Sequence, residues 1–327
     1  MSLVETYFEL PHTVGVEFVM LGTDFVVDLD GLQLTIRFPR SEKTRNWPLL
    51  VPPALVNVFD DDGLSSLLTK VEWGMENGLE RDGPESRTAW VSALGLAVEA
   101  PDGSEQEAAN RLLETMDDFW PVVCDWIEVL NRQVHSGQGK ALLLGPHHPV
   151  WVKDGDAVKR IYRRSEVPIE VPQAPGADAP FAVAKDTFQA MLGHAKSGPP
   201  PLEWLLIRDA RLAHHAGSRR LAVIDAGTAA ELAIVKMARD EVAGIPDKFV
   251  DLLFNKYQAL NGTSQLLKKL GGAALPEDLG NRLMKPRNGA AHRGAIPTAE
   301  ESRAALEAAM EIVDSAYPLT AYQGPTC

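Results

Sequence analysis

Three residues in the stretch KPRNGAAHRG carry chemistry that fits a phosphate: Arg287, the adjacent Asn288, and His292 five positions after the arginine. Arginine is a permanent cation whose planar fork of donors matches phosphate oxygens. Histidine exchanges protons near neutral pH. Asparagine offers both a donor and an acceptor. Spacing alone is a weak signal, because an arginine and a nearby histidine are more often unrelated surface residues. The elements around the trio must carry the case.

Pro286 directly precedes the trio, and proline is best tolerated in the first turn of a helix. The sequence therefore predicts a helix start or a kink there. Arg287 and Asn288 would then sit in a first turn, where free N–H groups favour a phosphate. Asn288 and His292 share a helical face, whereas Arg287 and His292 lie about 140° apart around the axis. One straight helix does not make those two side chains converge. Arginine's length, a kink at Gly289, or a second copy across a two-fold axis would solve this.

The 327 residues carry a formal net charge of −13, which excludes a broad basic grip on nucleic acid while leaving room for a local basic site. No apolar run reaches the roughly 18 residues of a transmembrane helix, so no membrane partner is expected. The first residues, MSLVETYFELPHT, lack the basic and apolar regions of a signal peptide, so a cytoplasmic location is expected. Two cysteines, Cys124 and Cys327, are too few for a disulfide framework or a CxxC zinc site. Cys124 reads as a buried small hydrophobe. Asp60–Gly63 reads as a solvated turn, and His147-His148, between prolines, as a turn without metal-ligand spacing. No cofactor and no metal is expected.

Up to about Pro101 the chain alternates like strands, in TVGVEFVM, DFVVDLD, LQLTIRF and RTAWVSALGLAVEA, with turns at Gly22–Asp24 and Asp30-Gly31. Ser104 and Glu107 have capping-box spacing ahead of a helical apolar pattern reaching about Val134, which Pro121 should kink or split. Proline-rich 172–180 reads as a linker. Beyond it the pattern turns helical. The fold class expected is α+β: a β-rich mixed domain over 1–175, then an all-α helical bundle over 181–327.

Within the bundle, 219–242 forms a long helix whose apolar stripe is read as Leu221, Ile224, Thr228, Leu232 and Val235. Glu231 falls at its edge. A partly buried carboxylate needs a counterpart, and two readings stand: an ion pair with an arginine of a neighbouring helix, or a group that orients the Arg287–His292 motif.

The C-terminal half resembles the HEPN superfamily. RNGAAHRG looks like that family's Arg-Asn-x3-His signature with its following glycine, here Gly294. LIRDARLAHHAGSRRLAVIDAGTAAELAI looks like its first helix pair, with Glu231 as the acidic residue of the second helix, and PTAEESRAALEAAMEIVD looks like its closing helix. The resemblance covers roughly 181–320 and none of the first half. It implies a helical dimer and metal-independent RNA cleavage at a composite site formed by two protomers. Arg287 would hold the scissile phosphate, His292 would act as general acid or base, and Asn288 would position one of them. A toxin–antitoxin or antiphage setting would follow, with RNA as substrate, a homodimer, and an antitoxin or regulatory partner. The alternative is a non-catalytic HEPN module binding a nucleotide, RNA or protein. A third reading gives the function to the β-rich half, for which the sequence suggests only a sensing or regulatory role by analogy.

Overall fold

The computed structural model describes residues 2–41, 50–53, 71–77, 88–131, 140–143, 147–154, 157–164, 168–171 and 182–322, with side chains described except for Asn77 and those from 132 to 181. It is an α+β protein with two compact units that divide between Pro199 and Pro200.

In the first unit, alternation of apolar and polar residues builds an antiparallel sheet. Its strands are β1 (Ser2–Glu17), β2 (Asp24–Leu29), β3 (Leu32–Arg37), β6 (Gly74–Asn77), β7 (Thr88–Ala100), β9 (His147–Asp154) and β10 (Ala157–Arg164). The order is β10-β9-β1-β7-β3-β2, with β6 also on β7. Two short ladders stand apart, β4 (Arg40–Ser41) with β5 (Leu50–Val51) and β8 (Lys140–Leu143) with β11 (Pro168–Val171). The turn at Asp30-Gly31 joins β2 to β3 with φ of 51° and 80°, the two positive values that a twisted two-residue hairpin requires. His147-His148, expected on a turn, opens β9 instead.

Helix α1 (Glu105–Leu130) lies against the sheet. It runs unbroken through Pro121, so the chain is not split there into two helices. Met116, Phe119, Trp120, Val123, Trp126 and Ile127 are all buried on either side of the proline. Their burial, at about 1.5–3 kcal/mol each, outweighs the roughly 3 kcal/mol that an interior proline costs. The expected capping box does not form. Ser104 Oγ donates to the Pro101 carbonyl, and the Glu105 carboxylate accepts the Gly103 N–H instead. Cys124 keeps part of its surface open, while burial still pushes its thiol pKa up. Asp60–Gly63 and the 172–180 stretch lie outside the described residues.

Residues 182–198, grouped with the helical half from sequence, are tied to the first unit. Val183 exchanges backbone hydrogen bonds with Gly15 and Glu17. Trp126 Nε1 donates to the Gly198 carbonyl. Phe188 of α2 (Lys185–Ser197) forms an edge-on cluster with Phe25 and Phe38, with ring centroids 4.9 and 5.1 Å away.

The second unit is a helical bundle of α3 (Leu202–His215), α4 (Arg219–Glu241), α5 (Asp247–Lys256), α6 (Ala259–Leu270), α7 (Lys285–Arg293) and α8 (Ala299–Ala316). Helix α4 is central and touches α3, α6, α7 and α8. Its buried face is not the stripe read from sequence. The buried residues are mostly small, including Ala222, Ala226, Gly227, Ala229, Ala230 and Ala233, while Leu221 is exposed. A helix surrounded by neighbours needs side chains short enough for their backbones to approach. The LLKKL segment is part of the twelve-residue helix α6. In α5 Phe249 and Leu252 are exposed, and Val250 is the one buried residue.

Candidate functional site

Pro286 does not start a new helix. A π-helical turn over Gly280–Met284 runs directly into α7, and Met284 is itself helical, with φ −65° and ψ −44°. The wider i→i+5 turn, in which the Lys285 N–H bonds to the Gly280 carbonyl, accommodates the proline ring, which would clash with the carbonyl four residues back in a regular helix. The expected first turn with open N–H groups around Arg287 is therefore absent. The motif sits on a continuous helix, and side chains rather than backbone donors must bind any phosphate. Gly289 lies within the helix. Helix α7 ends at Gly294, whose φ of 65° is the left-handed cap that lets its N–H and that of Ala295 bond to the Gly289 carbonyl.

Helix α7 lies antiparallel to α4, because Arg287 meets Gly227 and Glu231 near the middle of α4 while Ala290 meets Arg220 near its start. Arg220 Nε donates to the Ala290 carbonyl at 3.0 Å. The Arg287 stem crosses Gly227 so closely that a Cβ built there would fall 2.5 Å from Arg287 Cγ. From this position Arg287 Nη2 reaches Glu231 Oε2 at 3.3 Å, with side-chain exposures of 22% and 28%. Glu231 thus has an arginine of a neighbouring helix as its partner, and that arginine is the motif residue itself.

Arg287 Nη1 donates to Asn288 Oδ1, also at 3.3 Å. Both distances are long for charge-assisted hydrogen bonds, which favour 2.7–2.9 Å. Arg287 Nε is buried and unpaired. The guanidinium is thus half-buried and oriented by its neighbours, yet keeps donor capacity. Asn288 and His292 are both exposed and lie about 40° apart around α7. His292 makes no hydrogen bond to a described residue. Asn288 is the link in this arrangement: its oxygen draws the guanidinium around the helix toward the face that carries His292. No contact joins Arg287 to His292 directly within the chain.

In comparisons with protein-family models, with curated proteins and with solved structures, nothing matches this chain. The site is therefore read from its own geometry. Among the described residues no group of three or more His, Cys, Asp or Glu could hold a metal ion. None of the described helices is long and apolar enough to cross a membrane.

Two positioning residues were not singled out from sequence. Gly227 had a signal, a glycine inside a helix where alanine would be about 1 kcal/mol more favourable, which marks a close approach. Arg220 had none, because its role depends on where α7 packs.

Proposed function

We propose that the helical unit is a metal-independent endoribonuclease acting as a homodimer. The observation that carries the reading is the placement of Arg287, wedged over Gly227 and oriented by Glu231 and Asn288 through one hydrogen on each terminal nitrogen, which leaves a second N–H on each. A pre-oriented cation with spare donors suits the charge that builds on a phosphate during cleavage. The RNA 2′-hydroxyl loses its proton to a base, its oxygen attacks phosphorus, and the P–O5′ bond breaks. The departing 5′-oxygen takes a proton, leaving a 2′,3′-cyclic phosphate and a 5′-hydroxyl. His292 supplies proton transfer, Arg287 holds the phosphate and Asn288 positions the two. Because Arg287 and His292 diverge on one helix, a second protomer completes the site. The protein would work in the cytoplasm, in a toxin–antitoxin or antiphage setting, with the β-rich unit or an antitoxin regulating it.

The test is incubation of the purified protein with total RNA in the presence of chelator, beside Arg287→Ala and His292→Ala. Cleavage by the wild type, lost in both folded variants, supports the reading. Equal cleavage by either variant overturns it. The absence of an Arg287–His292 contact within the chain favours a second reading, a HEPN-like module that binds a nucleotide, RNA or a protein partner without cleaving. RNA binding without any cleavage would select that reading.

A further inference from the structure

On the side of α7 away from Arg287, a cavity of about 500 Å³ opens between this helix and the segment leading into α8. Its size lies in the range of small-ligand sites. Two kinds of lining meet there. Lys285 and Arg293 are exposed cations of α7, and neither makes an ion pair with a described residue. Pro286, Ile296 and Pro297 form apolar walls, and Ile296 is 77% exposed. The floor is Gly289, whose lack of a side chain leaves the cavity open; a Cβ there would come no closer than 3.5 Å to Ala295 and to the Arg293 guanidinium. Asn281 adds an amide that donates to Asp278 and retains an acceptor oxygen. The one carboxylate, Glu301, is occupied, since it accepts the Thr298 N–H in the cap of α8.

Around α7 the cavity face, centred on Gly289, adjoins the face of Asn288 and His292 and is turned away from the Arg287 side. Cations beside apolar walls fit a nucleotide, with the base in van der Waals contact with proline and isoleucine and the phosphate on Lys285 and Arg293. We infer that this cavity binds a nucleotide of single-stranded RNA next to the phosphate handled by the Arg287–His292 site, and so gives the enzyme a base preference. The inference rests on the ribonuclease reading for its biological meaning, but its binding chemistry can be tested separately.

The probe is a fluorescent 2′-O-methyl hexaribonucleotide, as A6, C6 and U6, which cannot be cleaved by 2′-hydroxyl attack. Its affinity for the full-length protein is measured by anisotropy, with polyphosphate of matched charge as competitor. Ile296→Ala and Lys285→Ala change exposed residues, so the fold survives. Each is expected to weaken binding about tenfold, while Lys248→Ala on α5 leaves it unchanged. Gly289→Ala is expected to bind more weakly although its helix is more stable. Unchanged affinity in Ile296→Ala and Lys285→Ala, equal displacement by polyphosphate, or no binding by the wild type overturns the inference. Cleavage sites on natural RNA are mapped alongside. Cleavage whose site preference is the same in Ile296→Ala leaves the ribonuclease reading standing and removes this one. Side-chain-dependent binding without cleavage does the reverse.

Discussion

Gly227 of α4 lies directly beneath Arg287 of α7, leaving no room for even one methyl group between them. The arginine is held by shape before it is held by charge. Its stem fills the notch that the glycine leaves, and only from there does the guanidinium reach both Glu231 and Asn288.

Gly227→Ala is therefore expected to separate stability from activity. Alanine gains about 1 kcal/mol of helix propensity, offset by a forced shift of the Arg287 stem, so the melting temperature should change little. RNA cleavage should fall at least tenfold, as is usual when a phosphate-binding group is misplaced by about 1 Å. Cleavage at the wild-type rate would show that the seat over Gly227 is dispensable.

Glu231→Gln keeps an acceptor for Arg287 but removes its charge. Both ends of the pair are partly exposed, so urea unfolding should show a loss of about 1 kcal/mol or less. If Glu231 acts by orienting Arg287, kcat should drop while KM for RNA stays within about twofold. A rise in KM with unchanged kcat would instead assign Glu231 to binding.

His292→Ala and Asn288→Ala alter exposed side chains, and thermal melts should stay within about 0.5 kcal/mol of wild type. His292→Ala should abolish cleavage. Mixing it with Arg287→Ala should restore part of the activity if the site is shared between two protomers, since some mixed dimers regain one intact arginine and one intact histidine. No restoration would argue for a site complete within one chain.

His214 supplies a pH prediction. Burial, followed by nearby His215, Arg219 and Arg303, pushes its pKa below the ordinary value, and its Nδ1 lies 2.9 Å from Ser302 Oγ. The fold favours the neutral ring, so the unfolded chain binds more protons near and below about pH 6.5. The associated stability is complete above that pH and is lost as pH falls through it toward the folded pKa. His214→Gln should lose less stability than wild type between pH 7.5 and 5.0 in thermal melts. Parallel losses in the two proteins would rule out His214 as a contributor.

The α+β organisation, the β2–β3 hairpin and the bundle were legible because period-2 and period-3.6 patterns and turn residues such as Asp30-Gly31 act locally. The trio Arg287, Asn288 and His292 was likewise visible as chemistry, and Glu231 was visible as a carboxylate in need of a partner. Misreadings arose where packing decided between local options. Apolar burial carried α1 through Pro121, and a π turn carried the chain through Pro286. The buried face of α4 was set by close helix approach, which favours alanine over the leucines that a hydrophobicity pattern selects. The seat of Arg287 on Gly227, its pairing with Glu231, and the cavity beside Gly289 bring together residues 56 or more positions apart or on separate segments. The sequence by itself determined which groups are available for phosphate chemistry and which segments carry them. Only the tertiary structure decided which of those groups meet, because a contact across two helices depends on how every neighbour fills space.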